Sequence, residues 1–211
     1  MSFARLSKGS EDQVRTRIAI GLSVFAFLLG GAATAGMTPM GEIQGAVTNA
    51  FQLLKQQDVR SQREREKLAG ELLKVIDPVF DFHQMAKSAL GAHWNDITAA
   101  QQRAYIPLFE HLVINEYLDK FASQDARTVA FTRQESRDGF AEVDTVVTVG
   151  KAHRLNVRYL LKRVGATWKI YDVSIDGVTI INNYRAQLDH VLYRSPSQEF
   201  LNRINENFDI G

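Results

Sequence analysis

The chain has 211 residues, with 25 Lys and Arg against 24 Asp and Glu, 45% hydrophobic residues and no cysteine. A formal charge of +1 lacks the basic excess that a nucleic-acid binder carries. Without cysteine there are no disulfide staples, no thiol catalysis and no cysteine metal sites, so stability must come from an ordinary apolar core.

At the N-terminus, Arg15 and Arg17 precede an apolar run from Ile18 to Leu29 and then Gly30-Gly31-Ala32-Ala33-Thr34-Ala35. This is the order of a basic region, an apolar region and an Ala-x-Ala cleavage site, and it predicts a signal peptide over residues 1–35 cut after Ala35. The run is shorter than the ~20 residues that span a bilayer, and small residues close it. An uncleaved anchor is the other reading of the same run. No later segment is long and apolar enough to span a membrane. Residues 1–35 hold four basic and two acidic side chains, so residues 36–211 stay close to neutral and suit one domain.

Thr38-Pro39 reads as a helix cap with proline in the first turn, followed by Ile43, Val47, Ala50 and Leu54 at helical spacing. Residues 55–67 are highly charged and read as a solvated helix face or connection rather than a docking surface. Leu68, Leu72, Val75 and Ile76 resume the helical stripe until Asp77-Pro78 ends it. Asp81 with Gln84 opens a short helix whose apolar face is Phe82, Met85, Ala86, Ala89 and Leu90, with Gly91 at its end. Thr98 with Gln101 repeats the capping-box spacing and starts a longer helix through Tyr105, Phe109, Leu112, Val113 and Tyr117. Pro107 lies inside it, where a kink is expected.

From Thr128 the period becomes two. Thr128–Arg137 and Phe140–Val149 are predicted strands joined by an Asp138-Gly139 hairpin turn. Gly150-Lys151 leads into Arg154–Val164, and Gly165-Ala166 leads into Trp168–Ile175. On the last strand Tyr171, Val173 and Ile175 are expected on one face, opposite Trp168, Ile170 and Asp172. Asn182–Leu192 and Ser195–Phe208 read as helices. Short links between successive strands imply an α+β fold: an antiparallel meander of about four strands, with helices before and after it packed on one face.

Catalytic signatures are sparse. His83, His93, His111, His153 and His190 show no His-Glu-x-x-His spacing, so no metal site is expected. There is no Gly-x-Ser-x-Gly elbow, phosphate loop or dinucleotide fingerprint. Asp172 and Asp176 could form a carboxylate pair. The simpler reading makes Asp176 part of the turn with Gly177, and Asp172 solvated or ion-paired with a neighbouring arginine such as Arg158.

Three segments together resemble the MlaC/Ttg2D family, the toluene-tolerance type of periplasmic phospholipid-binding protein that serves a Gram-negative ABC transport system. They are Trp168–Gln187, Phe80–Trp94 with its Phe-Asp-Phe-x-x-Met-Ala and Leu-Gly-x-x-Trp spacing, and the run from Thr98 through Tyr105 to Tyr117-Leu118. Pro107 departs from the family's pattern. The resemblance implies an apolar cavity between sheet and helices that holds phospholipid tails, with the headgroup at the mouth. It implies a monomeric periplasmic carrier moving lipid between an outer-membrane lipoprotein/porin complex and an inner-membrane ABC transporter, maintaining outer-membrane lipid asymmetry. Such a carrier is not an enzyme and needs no cofactor, the diacyl phospholipid being cargo.

Inward-facing positions then become candidate lipid contacts. The sheet offers Val143, Val147, Leu155, Val157, Tyr159, Tyr171, Val173 and Ile175. The long helix offers Tyr105, Phe109, Leu112 and Val113, and the bend offers Val178, Ile180 and Ile181. Periodicity assigns these residues inward but does not separate a packed interior from a lipid-filled one. Two rival readings remain at this stage: a cone-shaped α+β isomerase or dehydratase acting on an apolar substrate, and an adaptor with a fully packed core. A buried Asp or Tyr of perturbed pKa on the cavity floor favours the enzyme, and an aliphatic floor favours the carrier.

Overall fold

The structure, a computed structural model, describes residues 37–56, 61–123, 126–150 and 153–192, together with Asn202 and Ile204. All lie within the unit Gly36–Gly211. The predicted signal peptide and its cut after Ala35 fall outside the described residues. So do Lys151 and the helix predicted at Ser195–Phe208, apart from Asn202 and Ile204, both helical.

Helix α1 spans Pro39–Gln56 and α2 spans Gln62–Ile76. At the start of α1 the Thr38 hydroxyl accepts from the Gly41 N–H at 3.1 Å, and Pro39 occupies a position with no backbone bond to lose. Within the charged stretch, Ser61 and Glu64 form a reciprocal capping box (3.3 and 3.0 Å) that starts α2. Helix α3, Phe82–Leu90, is capped by Asp81, whose Oδ1 accepts from the Gln84 N–H at 2.9 Å. It ends at Gly91, where φ is +57°, and passes into a short 3-10 helix at Gly91–Asn95. Helix α4, Ala99–Ser123, begins with the predicted Thr98/Gln101 box (2.8 and 3.2 Å). It continues unbroken through Pro107. Pro107 and Arg103 are both exposed, so water can serve the carbonyl that the proline leaves without a partner.

Strands β1 (Ala126–Arg137), β2 (Phe140–Val149), β3 (His153–Val164) and β4 (Thr167–Ile175) form the predicted meander. A fifth short strand, β5 (Val178–Thr179), pairs with Ser174 and Ile175 before α5, Ile180–Leu192, begins. The sheet therefore has five strands rather than four, because the Asp176-Gly177 turn folds the expected bend back onto β4. Both Asp-Gly pairs take positive φ at each residue (Asp138 51°, Gly139 80°; Asp176 48°, Gly177 89°), the twist that a tight hairpin requires. The Asp176 carboxylate also accepts from the Asn156 backbone N–H at 2.9 Å, fastening the turn to β3.

One face of the sheet is apolar: Val143, Val147 and Val149 on β2, and Val157, Tyr159 and Leu161 on β3, are buried. On β4 the strict alternation fails. Leu160 pairs with Asp172 but Leu161 pairs with Ile170, so Tyr171 is the extra residue of a β-bulge. Ile170 is consequently buried on the inner side with Val173. Tyr171 does not share their face; its ring meets Phe140 edge-to-face at 6.2 Å beside Leu160. On the outer face Arg158 bonds Asp144 at 2.6 Å and Glu142 at 3.0 Å. Arg158 is thus engaged away from Asp172, which is buried against the start of α5 instead of being solvated or paired with that arginine.

The helices cover the apolar face. In the main core the Phe109 ring lies tilted to Tyr105 (centroids 5.9 Å apart) and edge-to-face with Tyr184 (5.3 Å). Residues Val79–Asp81 run parallel to β4, exchanging two 2.8 Å hydrogen bonds with Ile170, and Lys162 reaches Asp81 at 2.9 Å. A second, smaller apolar cluster joins α2 to the later turns of α4 through Leu68, Ala69, Leu72, Ile114 and Leu118.

Candidate functional site

The two apolar clusters do not close completely on each other. Between them lies a cavity of about 130 Å³. Helices α1 and α2 contribute Ala50, Leu54, Leu72 and Ile76; α4 contributes Val113, Ile114 and Leu118. The opposite wall is Val157 and Tyr159 of β3, Val173 and Ile175 of β4, Ile180 of α5, and Phe80 from the segment beside β4. No lining side chain carries a charge. Tyr159 brings the one hydroxyl, near Thr145, whose own hydroxyl donates to the Val157 carbonyl at 3.1 Å. Burial raises the Tyr159 phenol above its ordinary value, so it stays protonated at neutral pH.

Six of the fifteen residues predicted from the sequence line this cavity: Val113, Val157, Tyr159, Val173, Ile175 and Ile180. Tyr105, Phe109, Val143 and Val147 are fully enclosed in the packed core, with Leu112 and Ile181 buried in the same cluster and Leu155 half-buried against it. Tyr171 is turned away by the bulge. Val178 stands 62% exposed on the β5 hairpin. Seven lining residues were absent from the predicted set: Ala50, Leu54, Leu72, Ile76, Phe80, Ile114 and Leu118. For Ala50, Leu54, Leu72 and Ile76 the apolar stripes of α1 and α2 were the signal, since both put an apolar face toward the interior.

The titratable groups near the cavity are committed to structure. Asp172 lies beside the lining residue Val173 without lining the cavity itself. Its Oδ1 accepts from the backbone N–H groups of Val173 (2.8 Å) and Ile181 (3.2 Å), with the Thr179 side chain nearby. Burial pushes this carboxyl above the usual range, opposed by those donors and by Arg185. Tyr105 is also raised by burial, and Glu110 is raised by burial and by Asp77. Of the histidines, His83 sits edge-on to Trp94 at 5.6 Å, and His93 lies between Asp96 (3.8 Å) and Asp189 (3.2 Å). His111, His153 and His190 are exposed. Among the described residues no three His, Asp or Glu side chains group to hold a metal, and no helix is long and apolar enough to cross a membrane.

Two wider hollows, of about 400 and 420 Å³, lie over the outer sheet face. Asp144, Asn156, Arg158 and Ser174 help to wall one, and Glu135, Arg137, Phe140 and Tyr171 the other. Polar, charged walls offer a hydrocarbon little shelter, and the uncharged cavity is the site suited to one.

The chain is similar to known proteins in sequence and fold. Residues 44–206 match the family model described as MlaC protein. The toluene tolerance protein ttg2D of Pseudomonas putida is 22% identical over 163 residues, 76% of this chain and 76% of that protein. A phospholipid-binding protein from Ralstonia solanacearum, solved in complex with a phospholipid, has the same fold with a TM-score of 0.70 at 21% identity. That match covers 82% of this chain and 98% of the other.

Proposed function

The chain belongs to the MlaC family, and from that premise we propose that it is a periplasmic phospholipid carrier, exchanging lipid between an outer-membrane complex and an inner-membrane ABC transporter. The observation that carries this reading is the uncharged cavity at the seam of two apolar clusters, in a fold shared with a protein that holds a phospholipid.

The physical need is large. Each methylene brought from lipid into water costs ~0.8 kcal/mol. Two chains of about sixteen carbons therefore cost roughly 25 kcal/mol if unshielded. Aliphatic walls remove most of that penalty without reading chain length, and the headgroup can remain in water at the mouth. Loading and release then need no covalent step.

The cavity of about 130 Å³ is far smaller than such a cargo. An engineered cavity of ~150 Å³ holds only a benzene. Acyl chains therefore require the walls to part, and the seam is where they can. Helix α2 packs on α1 and α4 and supplies Leu72 and Ile76 to the wall, so an outward shift of this helix widens the space.

An enzyme is the weaker reading. Burial raises the Tyr159 phenol and keeps it protonated, so it is a poor base, and the Asp172 carboxylate faces backbone donors rather than the cavity. Transfer of a fluorescent phospholipid between two vesicle populations tests the proposal. Acceleration proportional to protein concentration is expected. No acceleration, together with turnover of an apolar substrate, would move the enzyme ahead.

A further inference from the structure

We propose that Asp172 is a positioning residue for the cavity, clamping together the two wall segments supplied by β4 and α5; this rests on the carrier reading. Its place in the chain makes the argument. Val173, the next residue, lines the cavity, and Asp172 accepts from that residue's own N–H at 2.8 Å. Ile180 also lines the cavity, and Asp172 accepts from the N–H immediately after it, on Ile181, at 3.2 Å. One carboxylate oxygen thus fixes the spacing of two lining residues from different elements. It does so next to the bulge at Tyr171, where the regular ladder is interrupted.

Two first-turn N–H groups of α5 find acceptors. Thr179, at the helix's own N-terminus, accepts from Asn182 at 3.2 Å, and Asp172 accepts from Ile181 across from β4, so this second cap also ties the two elements together. The later part of α5 is fastened elsewhere: the Tyr184 hydroxyl donates to Glu116 at 2.5 Å, and the Arg185 guanidinium donates to the Ser88 carbonyl at the end of α3. Loss of Asp172 therefore frees mainly the first turn of α5, the turn that carries Ile180. A carboxylate with 6% exposure is disfavoured by burial, so an apolar residue would sit there at lower desolvation cost if filling space were the whole task.

The test compares the full chain, exported and processed as the cell makes it, with Asp172→Leu and Asp172→Asn. Each is incubated with phosphatidylglycerol vesicles, and bound lipid per folded molecule is read by native mass spectrometry beside a melting curve. Leucine matches the size but accepts nothing, and uptake should fall by about tenfold or more. Asparagine keeps an acceptor oxygen and should restore uptake to within roughly twofold of wild type. A merely structural residue would lower the melting temperature and leave uptake per folded molecule unchanged. If Asp172→Leu does not fold, Asp172→Ala decides, because it removes the same acceptor without adding a branched side chain; several-fold weaker uptake is expected, and wild-type uptake overturns the clamp. Wild-type uptake by a folded Asp172→Leu, or no rescue by a folded Asp172→Asn, overturns it as well. A wild-type chain that takes no lipid overturns the carrier reading and the clamp together, whereas normal wild-type uptake with an indifferent leucine variant overturns the clamp alone.

Discussion

Replacing Val157 and Val143 by tryptophan, one at a time, separates a cavity wall from a packed core within a single sheet. Both valines are buried, at 3% and 0% exposure, on the same face of neighbouring strands. Only Val157 borders the cavity of about 130 Å³. That space takes roughly one aromatic ring, since ~150 Å³ accommodates benzene. The indole at position 157 can therefore enter existing space and should cost less than about 1 kcal/mol. At position 143 no such space exists, and overpacking should cost about 1–3 kcal/mol. For a chain of this size that lowers the melting temperature by about 2–12 °C. Lipid occupancy by native mass spectrometry should reverse the order: Val157→Trp folded but depleted of lipid, Val143→Trp destabilised but loaded wherever it remains folded. Equal destabilisation of the two variants, with equal lipid content, would refute the assignment of Val157 to the wall.

Asp81 sets an acid limit on stability. Burial pushes its carboxyl up, but the Gln84 N–H and the Lys162 ammonium outweigh this and hold it below the usual range. Its contribution is present above the unfolded value of about 4 and is lost as pH falls through the lower folded value; urea titrations at descending pH should show Asp81→Asn with a flatter acid limb than wild type. Asp172 has the opposite sign, its raised carboxyl contributing below the unfolded value and losing that contribution as pH rises through the folded one, so Asp172→Asn should not lower stability at neutral pH. Gly177 has φ +89° with open space where a Cβ would stand, so Gly177→Ala should cost only the left-handed backbone penalty, about 1–2 kcal/mol by chemical denaturation. Tyr184→Phe removes the bond to Glu116 and should cost about 1 kcal/mol, near the low end because the acceptor is only half-buried and water can reach it.

Local chemistry made much of the fold legible. Thr38-Pro39, Asp81 and Thr98/Gln101 marked helix starts because each places an oxygen where unbonded N–H groups emerge. Asp138-Gly139 marked a hairpin and Asp176-Gly177 a turn, because few residues tolerate positive φ, but the short strand after the second turn was not foreseen. The bulge at Tyr171 was not legible: an extra residue inverts the facing of what precedes it, and alternation alone carries no sign of the insertion. Burying Asp172 depended on the same event and on the arrival of α5, a contact between elements rather than a property of the strand. The cavity was half legible. Along α4, Tyr105 and Phe109 share an apolar stripe with Val113, and only tertiary packing against Tyr184 fills the space around the first two while leaving Val113, Ile114 and Leu118 beside a void. Leu54, Leu72 and Ile76 had inward spacing too, but whether an inward residue meets a neighbour or a gap depends on how two clusters fit, and periodicity does not report that fit.

Native mass spectrometry of the full chain after export to a Gram-negative periplasm, paired with lipid extraction, tests the carrier reading most directly. Co-purified diacyl phospholipid at near-stoichiometric occupancy is the predicted result, and its mass also gives the number of chains held. A processed, folded protein that arrives empty, and that takes no phospholipid from vesicles, would contradict the account.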